Sequence, residues 1–169
     1  VFASSGLKQI EIPKSVTNVS SDAFRYCYSL EKITVEEGNT SFVSQDGILY
    51  NPDKTGIIIC PNGIKGEIVI LASLDSSAFY DCSKLTKVSF EEGSVITSIP
   101  QEAFYNCYSL KTVIIPDSVT IIGYRSFYYC EKLENVVFGE GSALTSVGSY
   151  AFSSCTSLKN IEFPSSLSS

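Results

Sequence analysis

Cysteine is the residue with the most evident chemical potential in this 169-residue chain, because six cysteines occur and histidine is absent. Without histidine, the Ser-His and Cys-His nucleophile pairs cannot form, and the usual zinc ligand is missing. Five cysteines recur at one position of a repeated motif, which is typical of buried apolar thiols. No two cysteines have the Cys-x-x-Cys spacing of a metal site. We therefore predict no catalytic residue, no metal and no cofactor.

Cys60 is the exception, because it lies outside the repeated motif. Two interpretations stay open: a reactive thiol that serves a cysteine hydrolase, or a packed strand end. The apolar residues Ile57–Ile59 before it and Pro61 after it favour packing. No basic cluster lies nearby to lower its pKa, so the sequence favours an inert thiol.

Acidic residues recur in Gly-containing turns, at Glu36-Glu37, Glu91-Glu92 and Glu140. Stacked turns could gather them for a cation, but no Asp-x-Asp-x-Asp-Gly loop occurs, and a solvated acidic edge is favoured. A net charge of -6 argues against nucleic acid as a partner. The apolar runs are far shorter than the roughly 20 residues of a membrane helix, so no membrane insertion is predicted.

A repeated motif, Phe-x-x-Cys-x-x-Leu, organises the chain. Its copies are Phe24/Cys27/Leu30, Phe79/Cys82/Leu85, Phe104/Cys107/Leu110, Phe127/Cys130/Leu133 and Phe152/Cys155/Leu158. The steps between the Phe residues are 55, 25, 23 and 25 residues, so one long step interrupts a period of the solenoid type. Leu7–Pro13 supplies a sixth, truncated copy.

Each motif precedes a run in which apolar and polar residues alternate, which is typical of a strand with one buried face. The apolar pairs are Ile10/Ile12, Ile33/Val35, Val88/Phe90, Val113/Ile115, Val136/Phe138 and Ile161/Phe163. After a turn, a second short extended piece follows at Val16–Val19, Ile96–Ile99, Val119–Ile122 and Leu144–Val147. Phe and Cys three residues apart share one side of a helical turn, so this segment is predicted as a short helix or 3-10 turn.

Units this small can bury their apolar sides only against their neighbours. We therefore predict that residues 1–169 form a single repeat solenoid domain, mainly β with short helical or 3-10 turns. The chain opens on Val1, lacks methionine and shows no export signal, so we expect it to be a piece of a longer protein.

The repeat unit resembles the BspA-like, or Treponema-type, leucine-rich repeat. The match is clearest in Leu110-Lys-Thr-Val113-Ile-Ile115-Pro116-Asp-Ser118-Val119, followed by Ile122-Gly123 and Phe127 to Cys130. Serine, at Ser15, Ser118 and Ser166, stands where the general leucine-rich pattern has Asn. The resemblance implies a cell-surface or secreted protein, since the family is common in surface proteins of bacteria and of some parasitic protists. It also implies adhesion and host-protein binding, with which the family is associated.

The long step contains an insertion at about residues 36–71, relative to the 23-residue unit. Turn signals at Gln45-Asp46-Gly47 and Asn51–Gly56 separate short apolar runs, which predicts β-hairpin structure. We expect this structure to project from the solenoid or continue it. It is a candidate contact surface, although a local elaboration without a partner is favoured.

Two surfaces are candidates for ligand contact. On the sheet face, Thr112/Ile114 and Asn135/Val137 align as neighbours, and the two aliphatic residues break an otherwise polar pattern. Ordinary β-propensity is the competing explanation. A tyrosine column follows the Phe residues at Tyr80, Tyr105 and Tyr128, where contact with proteins or sugars competes with a packing role.

The sequence thus predicts a non-enzymatic recognition or adhesion module that binds extracellular or host proteins, with glycans as a second ligand class. The alternative is a structural spacer of a larger surface protein, with no ligand of its own. Neither end of the chain shows a polar capping unit, so weak self-association through open strand edges is expected.

Overall fold

Short parallel strands, stacked coil upon coil, form the framework of the protein in the computed structural model, which describes residue 2, residues 4–20 and residues 23–169. The strands are β1 (Gln9–Ile12), β2 (Lys32–Val35), β3 (Val43–Gln45), β4 (Ile48–Tyr50), β5 (Gly56–Ile59), β6 (Lys65–Ile70), β7 (Ser73–Leu74), β8 (Lys84–Phe90), β9 (Ser98–Ile99), β10 (Thr112–Ile115), β11 (Ile121–Ile122), β12 (Asn135–Phe138) and β13 (Ser146–Val147). The described residues contain no helix that is long and apolar enough to cross a membrane.

The first strands of successive coils pair in parallel, as the alternating pattern predicts. β1 pairs with β2, and a second sheet has the order β12-β10-β8-β6. In that sheet Val113 pairs with Val136, and both are turned inward, whereas the flanking Ile114 and Val137 face outward. The repeat period therefore fixes which side chains become neighbours.

The second extended pieces form a narrower parallel sheet, β13-β11-β9, in three of the four predicted positions. The prediction is wrong for Val16–Val19, which forms no strand. There the side-chain amide of Asn39 donates hydrogen bonds to the carbonyl oxygens of Pro13 and Val16, at 2.9 and 3.1 Å. These bonds tie the turn at residues 13–16 to the next coil through a side chain.

The Phe-x-x-Cys segments are successive β-turns, so the predicted helix or 3-10 turn is wrong in detail. In the coil of Phe104, Glu102 and Asn106 have φ angles of 55° and 56°. These left-handed residues turn main-chain N–H groups along the stack. The N–H of Phe104 donates to the carbonyl of Ser126 in the next coil at 2.8 Å. Hydrogen bonds between coils thus replace the bonds that a helix would make within one coil.

The core of the solenoid is a ladder of phenylalanine rings. Phe104 lies between Phe79 and Phe127, with ring centroids 5.1 and 5.2 Å away, and Phe152 continues the stack at 5.2 Å. Phe79, Phe104 and Phe127 are fully buried. Each coil therefore completes the core of its neighbours, as a solenoid requires.

The insertion contains the predicted hairpin structure. β3 and β4 are antiparallel around Asp46 and Gly47, whose φ angles of 53° and 81° are those of a two-residue hairpin turn. β4 pairs with β5 on its other side. This three-stranded hairpin, β3–β5, lies within the stack and is largely buried, so it continues the solenoid and does not project from it.

The hairpin separates two hydrophobic cores. On one face, Leu49 and Ile59 pack with Phe24 and Ile33 of the first coils. On the other face, Tyr50 and Ile57 pack with the longer core that extends to Cys155. The predicted insertion at 36–71 thus consists of a buried partition followed by a further coil.

This further coil is recognisable from Cys60 and β6. The N–H of Cys60 donates to the carbonyl of Ala78 at 2.7 Å, as the N–H of Phe79 donates to Ala103 at 2.8 Å. Cys60 therefore occupies the position that Phe has in other coils. β6 then joins the main sheet beside β8. Residues 60–74 are a shortened repeat that begins inside the predicted insertion and ends three residues beyond it.

Candidate functional site

The outward face of the main sheet brings together the four residues predicted there. Ile114 pairs with Val137 and Thr112 pairs with Asn135 across β10 and β12. The side chains of Ile114 and Val137, here called the sheet-face pair, are 41% and 45% exposed. Two adjacent aliphatic side chains thus lie open to solvent on a sheet whose next strands carry a Lys87–Glu67 ion pair of 3.2 Å.

Beside the sheet-face pair runs a shallow groove of about 370 Å³, which Ile114 and Val137 help to line. Three carboxylates border it, from Glu91, Glu92 and Asp117. Among the described residues, no lysine or arginine lines this groove. The surface therefore combines a small apolar area with negative charge.

The predicted tyrosine column exists as a stack of rings, here called the tyrosine stack. Tyr105 lies between Tyr80 and Tyr128, with ring centroids 4.5 and 5.3 Å away and interplanar angles of 3° and 24°. All three side chains are half-buried, and burial raises the pKa of Tyr80. Because neighbouring rings cover each other, the stack presents ring edges to solvent and closes the faces on which a sugar would lie.

A guanidinium group lies at each end of the tyrosine stack. The Cζ atom of Arg25 is 4.2 Å from the ring centroid of Tyr80, and that of Arg125 is 5.2 Å from the centroid of Tyr128. Arg125 also lies 4.8 Å from the ring of Tyr124 and 5.7 Å from that of Tyr150. The cation-π contacts fix both arginines against aromatic rings.

The cysteines are buried free thiols, as the repeat pattern predicts. Cys82, Cys107 and Cys130 lie in one row inside the stack, and burial raises the pKa of each well above its ordinary value. Burial likewise raises the pKa of Cys155 to about 12. Cys60 is 2% exposed and directly follows β5, in agreement with the packed interpretation. Neutral, inaccessible thiols are poor nucleophiles and poor metal ligands.

The acidic turns do not assemble a cation site in the part of the chain that the structure describes, where no three His, Cys, Asp or Glu side chains are grouped so that they could hold a metal ion. Glu36 instead accepts a hydrogen bond from the main-chain N–H of Lys14 at 2.9 Å.

Arg125, Tyr124 and Tyr150 form a cluster that the sequence prediction missed. Arg125 and Tyr150 each lie two residues before the Phe of their motif, and both have positive φ angles, 52° and 60°. The alignment of repeats places them in one column, which was the available signal. Their contact depends on left-handed turn geometry, which the motif alone does not indicate.

Parallel strands, stacked aromatic rings and one row of thiols together define a β-solenoid built from leucine-rich-repeat coils. The chain belongs to the family of the BspA type leucine rich repeat region, whose family model matches residues 1–65 and 70–169 in six copies. The resemblance seen in the sequence and the solenoid fold are thereby confirmed. A search among curated proteins found no match.

Solved structures with the same fold include a leucine rich cell surface protein from Faecalibacterium prausnitzii, at 28% identity and a TM-score of 0.68 over 95% of this chain and 49% of that one. The pneumococcal vaccine antigen PcpA matches at 28% identity and a TM-score of 0.64, over 90% of this chain and 44% of that one.

A leucine-rich repeat protein from Eubacterium ventriosum shares the fold at 24% identity and a TM-score of 0.62, over 97% of this chain and 57% of that one. The chain thus spans about half the length of these proteins.

Proposed function

We propose that this chain is a non-enzymatic recognition module of a bacterial cell-surface or secreted protein, and that it binds a protein ligand on the outward face of the main sheet. Membership of the BspA type family supports the proposal. So do the similar structures, which include a cell surface protein and a vaccine antigen. Buried neutral thiols and the lack of histidine favour binding over catalysis.

The observation that carries the proposal is the adjacency of Ile114 and Val137. An isolated exposed aliphatic side chain is ordinary, but paired ones add up to a contiguous apolar area, which is typical of contact sites. Carboxylates from Glu91, Glu92 and Asp117 border the groove beside them. A protein segment with apolar side chains next to lysine or arginine would complement this surface.

A structural spacer is the second candidate function. The stacked rings of Phe79, Phe104, Phe127 and Phe152 and the parallel tyrosine stack join the coils from Phe79 to Phe152 into a continuous rod. Such a rod would hold other domains away from a surface without binding a ligand. The spacer predicts that no ligand depends on the sheet-face pair.

The test is a binding screen of the 169-residue chain over arrayed extracellular-matrix proteins and glycans, with the double variant Ile114→Asp/Val137→Asp in parallel. Ile121→Asp is the matched control, because Ile121 lies on the narrower sheet and is 48% exposed. Circular dichroism and thermal unfolding establish that all three proteins are folded.

We expect a protein ligand whose affinity falls by at least about tenfold in the double variant and stays unchanged in Ile121→Asp. A protein hit that the double variant retains would move the binding site away from this face. The absence of any protein hit would favour the spacer.

A further inference from the structure

Arg125 is a cation whose hydrogen-bonding capacity is not used within the described chain. Its Nε atom is buried without an acceptor, and its guanidinium makes no hydrogen bond or ion pair to any described residue. Glu102 holds the position of Arg125 in the coil before, yet its carboxylate lies beyond ion-pair distance of the Arg125 guanidinium. By contrast, Lys87 and Lys65 are each paired with a glutamate.

Aromatic rings hold this unpaired guanidinium in place. Tyr124, Tyr128 and Tyr150 surround it, with ring centroids 4.8, 5.2 and 5.7 Å from Cζ. The ring of Tyr150 is perpendicular to those of Tyr124 and Tyr128, at interplanar angles of 86° and 83°. Because the rings restrict its motion, Arg125 loses little conformational entropy when it binds a ligand.

The donors of a guanidinium match a planar oxyanion such as a carboxylate, which they bind in pairs. Tyr150 is 59% exposed and its ring lies against the guanidinium, so an aromatic surface with a phenol hydroxyl adjoins the charge. This combination suits a ligand that carries one acidic group beside a body with both apolar and hydroxyl-bearing faces. From this geometry we infer that Arg125 and Tyr150 bind an acidic sugar, with the sugar carboxylate on the guanidinium.

Two features favour a sugar with a single charge over other anions. The net charge of the chain is -6, so a polyanion would be repelled by the rest of the surface. Residues 124–129 are turn residues, which offer no strand edge to an extended acidic peptide. The inference is independent of the sheet-face proposal, because Arg125 and Tyr150 lie in the turns and Ile114 and Val137 lie in the main sheet.

The test uses saturation-transfer NMR and titration of the 169-residue chain with an oligosaccharide that ends in glucuronic acid, compared with the same oligosaccharide ending in glucose. Arg125→Gln removes the charge, Arg125→Lys keeps the charge without the paired donors, and Tyr150→Ala removes the exposed ring. Lys111→Gln is the control, since it removes a positive charge from an exposed side chain elsewhere. Thermal unfolding checks each variant.

We expect binding of the acidic sugar alone, weakened by at least about tenfold in Arg125→Gln, less in Arg125→Lys and not in Lys111→Gln. Equal binding of both sugars, or full binding by a folded Arg125→Gln variant, would overturn the inference. A glutamate-containing peptide forms the second arm. If the peptide binds through Arg125 and the sugar does not, the acidic-sugar assignment is wrong. The sheet-face variants should leave sugar binding unchanged.

Discussion

The thiol of Cys130 donates a hydrogen bond to the main-chain carbonyl of Phe104, one coil earlier in the stack, over 3.2 Å. The thiol of Cys155 does the same to Phe127 at 3.1 Å, and that of Cys107 to Phe79 at 3.2 Å. This contact explains why one position of the repeat is cysteine: the side chain is small and apolar enough for the core, and it still satisfies a buried carbonyl.

We expect all six thiols to resist modification in the folded protein, because each is buried. With Ellman's reagent at pH 8, the native chain should release almost no thionitrobenzoate, and the chain denatured in urea should release six equivalents. Iodoacetamide labelling with peptide mapping identifies any exception. Rapid, selective labelling of Cys60 in the folded state would contradict the packed assignment and revive a cysteine-hydrolase interpretation.

Stability should decline at alkaline pH. Burial raises the pKa of Cys155 from 9.0 to about 12, so its thiol stays protonated in the folded chain at pH values where the unfolded chain has lost that proton. The folded state then binds more protons, and the free energy of unfolding falls as the pH rises from about 9 to about 12. Each such thiol adds ~1.4 kcal/mol per pH unit to the slope within its window.

Urea denaturation at several pH values between 8 and 10.5 measures this slope. The variant Cys155→Ala lacks one titrating thiol and should show a shallower decline than the parent chain, whatever its starting stability. Identical slopes in the two proteins would show that the Cys155 thiol titrates alike in the folded and unfolded chains.

The tyrosine stack should contribute to stability through its rings and not through its hydroxyl groups. Tyr105→Ala removes two stacking contacts, of 4.5 and 5.3 Å, and we expect a loss of about 1–3 kcal/mol. Tyr105→Phe keeps the ring and should be nearly neutral. Chemical denaturation compares both with Tyr108→Ala, whose side chain is 41% exposed. A neutral Tyr105→Ala would mean that the stack carries no packing energy.

Leu49 should be a sensitive position, because it is fully buried in the hairpin that divides the cores. Leu49→Ala leaves a cavity between β4 and the first coils, and we expect a cost of about 2–5 kcal/mol. Leu71→Ala makes the same change at a side chain that is 54% exposed and should cost less than about 0.5 kcal/mol. If thermal unfolding ranks both variants alike, the hairpin does not form the partition seen here.

The edge of the solenoid beside β1 exposes Phe2 and Leu7, at 38% and 41%, around an apolar hollow of about 780 Å³. We expect the 169-residue chain to self-associate weakly through this edge. In sedimentation velocity, the sedimentation coefficient should increase with protein concentration. Leu7→Glu should reduce this increase. Val95→Glu is the control and should not reduce it, although Val95 is 85% exposed. A strict monomer at millimolar concentration would exclude this association.

The repeat period predicted the features that depend on which residues become neighbours. Ile114 and Val137 hold equal positions in successive coils, so parallel stacking had to place them side by side. The same reasoning holds for Tyr80 and Tyr105 and for the cysteine row. In a stacked fold, residues at equal positions of successive repeats become neighbours, so these contacts could be predicted from the period.

Features that depend on hydrogen bonds between residues far apart in the sequence could not be predicted from the repeat pattern. A helix at Phe104–Cys107 fails because the Phe104 N–H bonds to Ser126, 22 residues away. The shortened coil at 60–74 was missed because Cys60 replaces the Phe of the motif. Only Ile64 and the segment that forms β6 still resemble the repeat. The position of Arg125 depends in the same way on turn geometry and not on residue type.

The three-stranded hairpin divides the hydrophobic interior, and this has a mechanical consequence. In an uninterrupted solenoid, the unfolding of one coil destabilises the next, because neighbouring coils share ring contacts. Here the phenylalanine rings of Phe24 and Phe79 belong to separate clusters on opposite faces of β4 and β5. Under a pulling force, we therefore expect the first coils to unfold while the longer stack stays folded. The hairpin would then limit the propagation of unfolding along the solenoid.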